Sequence, residues 1–173
     1  MEYPRIDVTV DLALFSFKEN GKIQVLLIRR ENDPYKGELA LPGGYLNPEE
    51  SLEQAAKREL YEETHTVTDE INYVGVFDDP ERDPRGRVIS HLFAAFVDEQ
   101  QPQAGDDATE SFWKEYPVEF SLAFDHNDML TKAFVKLLEA GQISAHLNNL
   151  LTTTKLLEAG QIPANNDVNT NKR

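Results

Sequence analysis

The chain has 173 residues, 40% of them hydrophobic and 28% charged, with no cysteine and a formal net charge of −14 at pH 7. This composition predicts one globular domain with a true core and excludes disulfides and thiolate chemistry. The charge serves solubility and opposes DNA or RNA binding along an open face, while leaving room for a small phosphorylated ligand where a metal ion or local arginines reverse the field.

The N-terminus, Met1-Glu2-Tyr3-Pro4-Arg5, lacks a basic stretch followed by an apolar one, so no signal peptide is expected. No apolar run of about 18 residues exists to span a membrane, and the expected compartment is the cytoplasm. Val8 to Phe17, with Val8, Val10, Leu12 and Leu14 alternating, predicts a strand. Asn20-Gly21 predicts a hairpin turn, and Ile23 to Ile28 its buried partner. Arg29 and Arg30, which close that strand, are expected at the surface. A loop through Asn32-Asp33-Pro34 and Gly37 leads to a short strand at Leu39 to Leu41 and a Pro42-Gly43-Gly44 turn. A helix follows, starting near Pro48 to Ser51, with acidic residues suited to its first turn.

Further strands are predicted at Ile71 to Phe77 and Val88 to Val97, separated by a polar stretch from Asp78 to Gly86. Gln100 to Glu110 reads as a polar loop and Phe112 to Tyr116 as a short strand. Trp113 is expected in the core, with adenine stacking as its alternative. From Asn127 the period turns helical, with Leu130, Phe134, Leu137 and Leu138 as the stripe, Asp125 or Asn127 as cap and Gly141 as stop. Lys136 to Ile143 recurs as Lys155 to Ile162. Two copies do not make a solenoid; they indicate either a duplication that lengthened the C-terminal helical region or a second docking helix at a dimer interface. The expected organisation is a main domain over 1–145, an added helical segment over 146–162 with a helix from about Leu147 to Ala159, and a polar, Asn-rich disordered tail over 163–173.

The chemistry concentrates in the helix after Gly43-Gly44. Leu52, Ala55 and Ala56 mark its apolar stripe, and Glu59 and Glu63 continue that stripe, with Glu62 beside them. Carboxylates on a core-facing side are costly to ionise without a partner, and a hard divalent cation with oxygen ligands is the natural partner. The alternative is a salt-bridged helix surface.

Gly44, Glu50, Arg58, Glu59, Glu62 and Glu63, at these separations, resemble the Nudix box of the Nudix hydrolases. The departure lies at the end, where Thr64-His65-Thr66 replaces a variable residue, a glycine and an aliphatic residue. A left-handed His65 is expected to cost about 1 kcal/mol of strain without losing the helix. The resemblance implies an α/β fold, a mixed sheet sandwiched between helices with the box as loop–helix–loop. It implies Mg²⁺, with Mn²⁺ as alternative, held by Glu59, Glu62, Glu63 and the Gly44 carbonyl, with Glu50 and Arg58 orienting those carboxylates. The general base is Glu62, Glu63 or, from a loop outside the box, Glu110.

Asp33 to Gly37, Leu39 to Gly44, Arg82 to Arg87 and Leu122 to His126 are similar to the ADP-ribose pyrophosphatase group. That likeness implies cleavage of ADP-ribose to AMP and ribose 5-phosphate, with Gly43 and Gly44 against the ligand. Arg82 and Arg85 are either a phosphate or ribose clamp or caps of a turn. His126 is expected to start a helix. Nucleotide sugars, dinucleotides and damaged nucleoside triphosphates are the alternative substrates, and a slow ADP-ribose-sensing module is the alternative class. Some relatives are regulators with an added DNA-binding winged helix; residues 127–173 offer no basic recognition helix, so a regulator is not expected. A homodimer is also implied.

Overall fold

The computed structural model describes residues 5–18, 20–105, 108–145 and 147–148. Its elements in chain order are β1 (Asp7–Phe17), β2 (Ile23–Arg30), β3 (Leu39–Ala40), β4 (Gly43–Tyr45), α1 (Leu52–Thr64), β5 (Asn72–Phe77), β6 (Val88–Val97), β7 (Ala108–Glu115) and α2 (His126–Glu139). The predicted helix near Leu147 to Ala159, the second copy of the repeat and the tail lie outside the described residues, apart from 147–148.

The strands form one mixed sheet in the order β3-β2-β1-β6-β5, with β4 added to β1 and β7 to β2. β1 and β6 run parallel from the Asp7–Val88 pair to the Ser16–Val97 pair, and the other pairings are antiparallel. β1 is central, so it is buried on both faces. Val10, Leu12 and Leu14 pack with Ala55, Ala56 and Leu60 of α1, while Ala13, Phe15 and Phe17 pack with Met129, Ala133 and Leu137 of α2. The expected alternation was therefore half of the pattern; a strand covered by helices on both faces needs apolar residues at odd and even positions alike. The sheet between helices matches the expected α/β architecture.

Three features differ from expectation. β4 is a strand where a turn was expected, because Gly43 and Gly44 come close enough to pair with Asp11 and Val10. β7 begins inside the expected polar loop, because β2 offers its backbone partners through the Arg29–Glu110 and Arg30–Ala108 register and unpaired backbone groups are costly. On α2, Leu138 is 53% exposed, and Met129, Leu130, Ala133 and Leu137 form the buried face instead. Gly141 takes the left-handed conformation (φ 70°) just past the helix. In the first repeat copy, Leu137 and Ile143 enter the core and the Gln142 amide pairs reciprocally with Asn72 at 3.0 and 3.1 Å.

Candidate active site

α1 begins with a reciprocal cap. The Ser51 hydroxyl accepts from the Gln54 N–H, and the Gln54 side chain accepts from the Ser51 N–H, satisfying two orphan donors. Its alanines then let the helix lie close over β1, which carries the following turns toward Gly43 and Gly44. Glu63 is 4% exposed, and its Oε2 accepts from the Gly43 N–H at 2.9 Å. The Glu59 side chain is 13% exposed. A Cβ on Gly44 would run into the Glu59 carboxylate, and one on Gly43 into the backbone of Val10 and the Asp11 side chain. Gly43 requires glycine because backbone approaches it, whereas a side chain at 44 would displace the Glu59 carboxylate. Glu62 departs from the expected core-facing placement: its side chain is 45% exposed. Glu59 and Glu63 are one i,i+4 step apart and share a face, whereas Glu62 is rotated off it.

Arg58 ties the acids together. It donates to both oxygens of Glu50 at 2.9 and 2.6 Å, to Glu59 and Glu62 at 2.8 Å each, and to the Tyr45 carbonyl at 3.0 Å. The hydrogen bond from Arg58 holds the Glu50 carboxyl down at about 2, and Arg58 itself is pushed further up, chiefly by Glu50. Both groups are locked as ions, and the fork fixes the Glu59 carboxylate in orientation.

A cavity of about 330 Å³ opens beside this helix, lined on one wall by Glu59, Glu63, Arg58, Gly43 and Gly44. Arg30, Arg82, Asp83, Arg85, Phe124 and His126 contribute to the rest of it, together with Asp11 of β1. Arg82 is a bidentate partner of Asp125 at 2.9 and 2.6 Å. It thus clamps the β5–β6 loop to the start of α2 and does not cap a local turn. Asp125 stands at the N-cap of α2 without a side-chain capping bond, its carboxylate being engaged by Arg82. Arg85 donates to Asp83, which raises the Arg85 pKa, and lies 5.6 Å from the Tyr45 ring and 5.7 Å from that of Phe124. Burial favours the neutral form of Asp83, but the hydrogen bonds from Arg85 outweigh it and the net shift is downward.

Several site residues were not foreseen. Arg30, expected at the surface, lines the cavity and lies 4.9 Å over the Phe124 ring. Burial and then the neighbouring Arg85 lower its pKa. Asp11 is buried and accepts from the Ser90 hydroxyl. An acid inside the apolar run of β1 was the available signal. His126 does start α2, yet it also reaches the cavity. Its Nδ1 accepts from the Leu41 N–H at 3.0 Å, so the proton resides on Nε2, 3.5 Å from Asp11. Burial pushes its pKa down and keeps it neutral. Glu110 does not join the cavity: on β7 it is exposed and paired with Arg29 at 2.7 Å, because the β2–β7 register sets those residues opposite each other. Trp113 packs against the α1-side core and donates to the Gln100 carbonyl at 2.7 Å.

Among the described residues no three aspartate, glutamate or histidine side chains gather closely enough to hold an ion unaided. Glu59 and Glu63 at one wall nevertheless suit a hard cation that completes its shell with water and ligand phosphate, as Mg²⁺ does. Guanidinium groups complete the cavity, so it is built to face anionic and cationic charge at once.

The NUDIX domain model matches residues 7–133. The chain belongs to the NUDIX domain family. An ADP-ribose pyrophosphatase of Methanocaldococcus jannaschii is 42% identical over 107 residues, covering 62% of this chain and 63% of that protein. The ADPR responsive transcriptional repressor NtrR of Acinetobacter baylyi is 36% identical over 141 residues, covering 79% of this chain and 56% of the repressor. The match thus spans less than two thirds of each curated relative. The NUDIX domain of Shewanella oneidensis NrtR, solved in complex with ADP ribose, superposes with a TM-score of 0.74 at 30% identity, covering 78% of this chain and 90% of that one. The helix bearing Glu59, Glu62 and Glu63 is accordingly the Nudix helix. No helix among the described residues is long and apolar enough to cross a membrane.

Proposed function

We propose that this Nudix chain hydrolyses the diphosphate of a nucleoside diphosphate linked to a second moiety, ADP-ribose foremost, to AMP and ribose 5-phosphate. The observation that carries the reading is that one cavity brings together Glu59 and Glu63 at one wall and Arg30, Arg82 and Arg85 around the remainder. A relative named for ADP-ribose hydrolysis and a neighbour bound to ADP ribose support the substrate. The residues suited to hold a divalent cation, Mg²⁺ with Mn²⁺ as alternative, are Glu59, Glu63 and Gly44. When bound, the cation supplies charge neutralisation on the diphosphate and a more acidic attacking water.

The chain's own groups do the rest. Arg30 and Arg85 face the phosphates, and Arg82, held by Asp125, stiffens that wall. Water attacks one phosphorus, the bridging P–O bond breaks, and both products leave as phosphate monoesters. Glu63 is assigned the water's proton because it lines the cavity, whereas Glu62 and Glu110 are not among the lining residues. Arg58, itself held by Glu50, keeps the Glu59 carboxylate aimed.

The test is monoester release from ADP-ribose and a panel of nucleotide sugars, dinucleotides and oxidised nucleoside triphosphates, with and without Mg²⁺. ADP-ribose is expected to be cleaved first, and Glu63→Gln to lose at least about 100-fold in rate. Preference for another panel member would keep the chemistry and replace the substrate. The likeness to a repressor that responds to ADPR favours a second reading, a sensing module; ADP-ribose binding without turnover of any panel member would select it.

A further inference from the structure

α1 ends without the glycine of the family pattern. The Leu60 carbonyl accepts from the Thr64 hydroxyl at 2.6 Å, and the Tyr61 carbonyl from the His65 N–H at 2.8 Å, with His65 left-handed at φ 53°. The carbonyls of Glu63 and Thr64, which leave the helix unpaired, accept from the N–H groups of Gly105 (3.0 Å) and Gln103 (2.9 Å). The chain at 103–105 passes so near that a Cβ on Gly105 would overlap the Glu62 carbonyl. This strap crosses the backbone of the two residues that carry the last acids of the box.

The His65 side chain closes the arrangement. Its Nδ1 lies 3.2 Å from the Gln103 carbonyl oxygen. A carbonyl only accepts, so Nδ1–H donates. The ring also packs 5.3 Å from Tyr61. Further along, the Gln100 amide pairs with both backbone groups of Val67 at 3.2 and 2.8 Å. A glycine at 65 would adopt the same backbone with less strain, so what the imidazole adds is its bond to the strap.

We propose that His65 is a positioning residue, latching the 100–105 strap onto the end of α1 so that Glu63 stays in hydrogen-bond register with Gly43. Its meaning for catalysis rests on the hydrolase reading, but its geometry is testable without turnover. Residue-resolved amide exchange is measured on metal-free wild type, His65→Gly and His65→Asn. His65→Gly is expected to melt at the same temperature or higher, since glycine relieves the left-handed backbone. The Gln103, Gly105 and Gly43 amides are nevertheless expected to exchange roughly 2- to 10-fold faster, the weight of one hydrogen bond. His65→Asn, which tolerates the left-handed conformation and keeps a donor at the δ position, is expected to restore protection.

Unchanged exchange at Gln103 and Gly105 in His65→Gly overturns the latch. Faster exchange there with Gly43 still protected overturns the positioning of Glu63. If the wild type cleaves ADP-ribose, His65→Gly is expected to lower kcat with KM little changed. A wild type that cleaves nothing would overturn the hydrolase reading and leave the exchange result standing.

Discussion

Arg58 shows how one side chain sets the state of several. Its fork engages Glu50, Glu59 and Glu62 together, and its hydrogen bond lowers Glu50 from 4.5 to about 2. A carboxylate whose folded pKa lies below its unfolded one binds fewer protons when folded, so its contribution is complete above about pH 4.5. It is lost as pH falls from 4.5 toward 2. Melting temperatures of metal-free protein across pH 2–7 are therefore expected to fall through that window in the wild type. Glu50→Gln, which has no titrating group there, is expected to melt lower at pH 7 and to show a shallower fall. The Gly44 approach to Glu59 is legible once the box is recognised and Asp11 stands out as an acid in an apolar strand, but the meeting of Asp11 with Arg30 in one cavity is not. Their side chains reach the cavity through strand neighbours and loops far away in sequence.

At the scale of elements, α1 is specified by local signals and the start of β7 is not. The Ser51–Gln54 box and the run of Ala55, Ala56 and Leu60 define where the helix starts and which side it buries. Ser51→Ala is expected to cost about 1 kcal/mol of stability, read as a lower urea midpoint at unchanged m-value, with little effect on the cavity two turns away. Phe112 to Glu115 of β7 fall in the strand expected from sequence, but its start, from Ala108 through Glu110, carries no strand signature. It forms because β2 presents a partner edge, with Lys22–Glu115 and Arg29–Glu110 ion pairs across the junction. A polar segment becomes a strand when its backbone finds a ladder, and composition alone does not record that.

At the scale of the molecule, the two cores on either face of the sheet must be held in one relation for the cavity to exist. The Arg82–Asp125 pair bridges the β5–β6 loop and α2, with side chains only 4% and 22% exposed. Asp125→Ala would leave a buried guanidinium without its carboxylate, and such unpaired charges cost about 3 kcal/mol or more. Chemical unfolding of that variant is expected to show this loss. His126 adds a second tie, joining α2 to the Leu41 N–H beside Asp11.

Sequence by itself determined the Nudix helix, the inward placement of Glu59 and Glu63 and the glycines they meet, because helical periodicity and a turn are local properties, but it also set Glu62 on that side, where the structure does not. It also indicated the mixed sheet between helices through the resemblance it carried. Only the tertiary structure decided that Glu110 is engaged by Arg29 and that Asp11, Arg30, Phe124 and His126 converge on one cavity. Those outcomes depend on strand register and on which loops meet, and both are settled by contacts between residues distant along the chain.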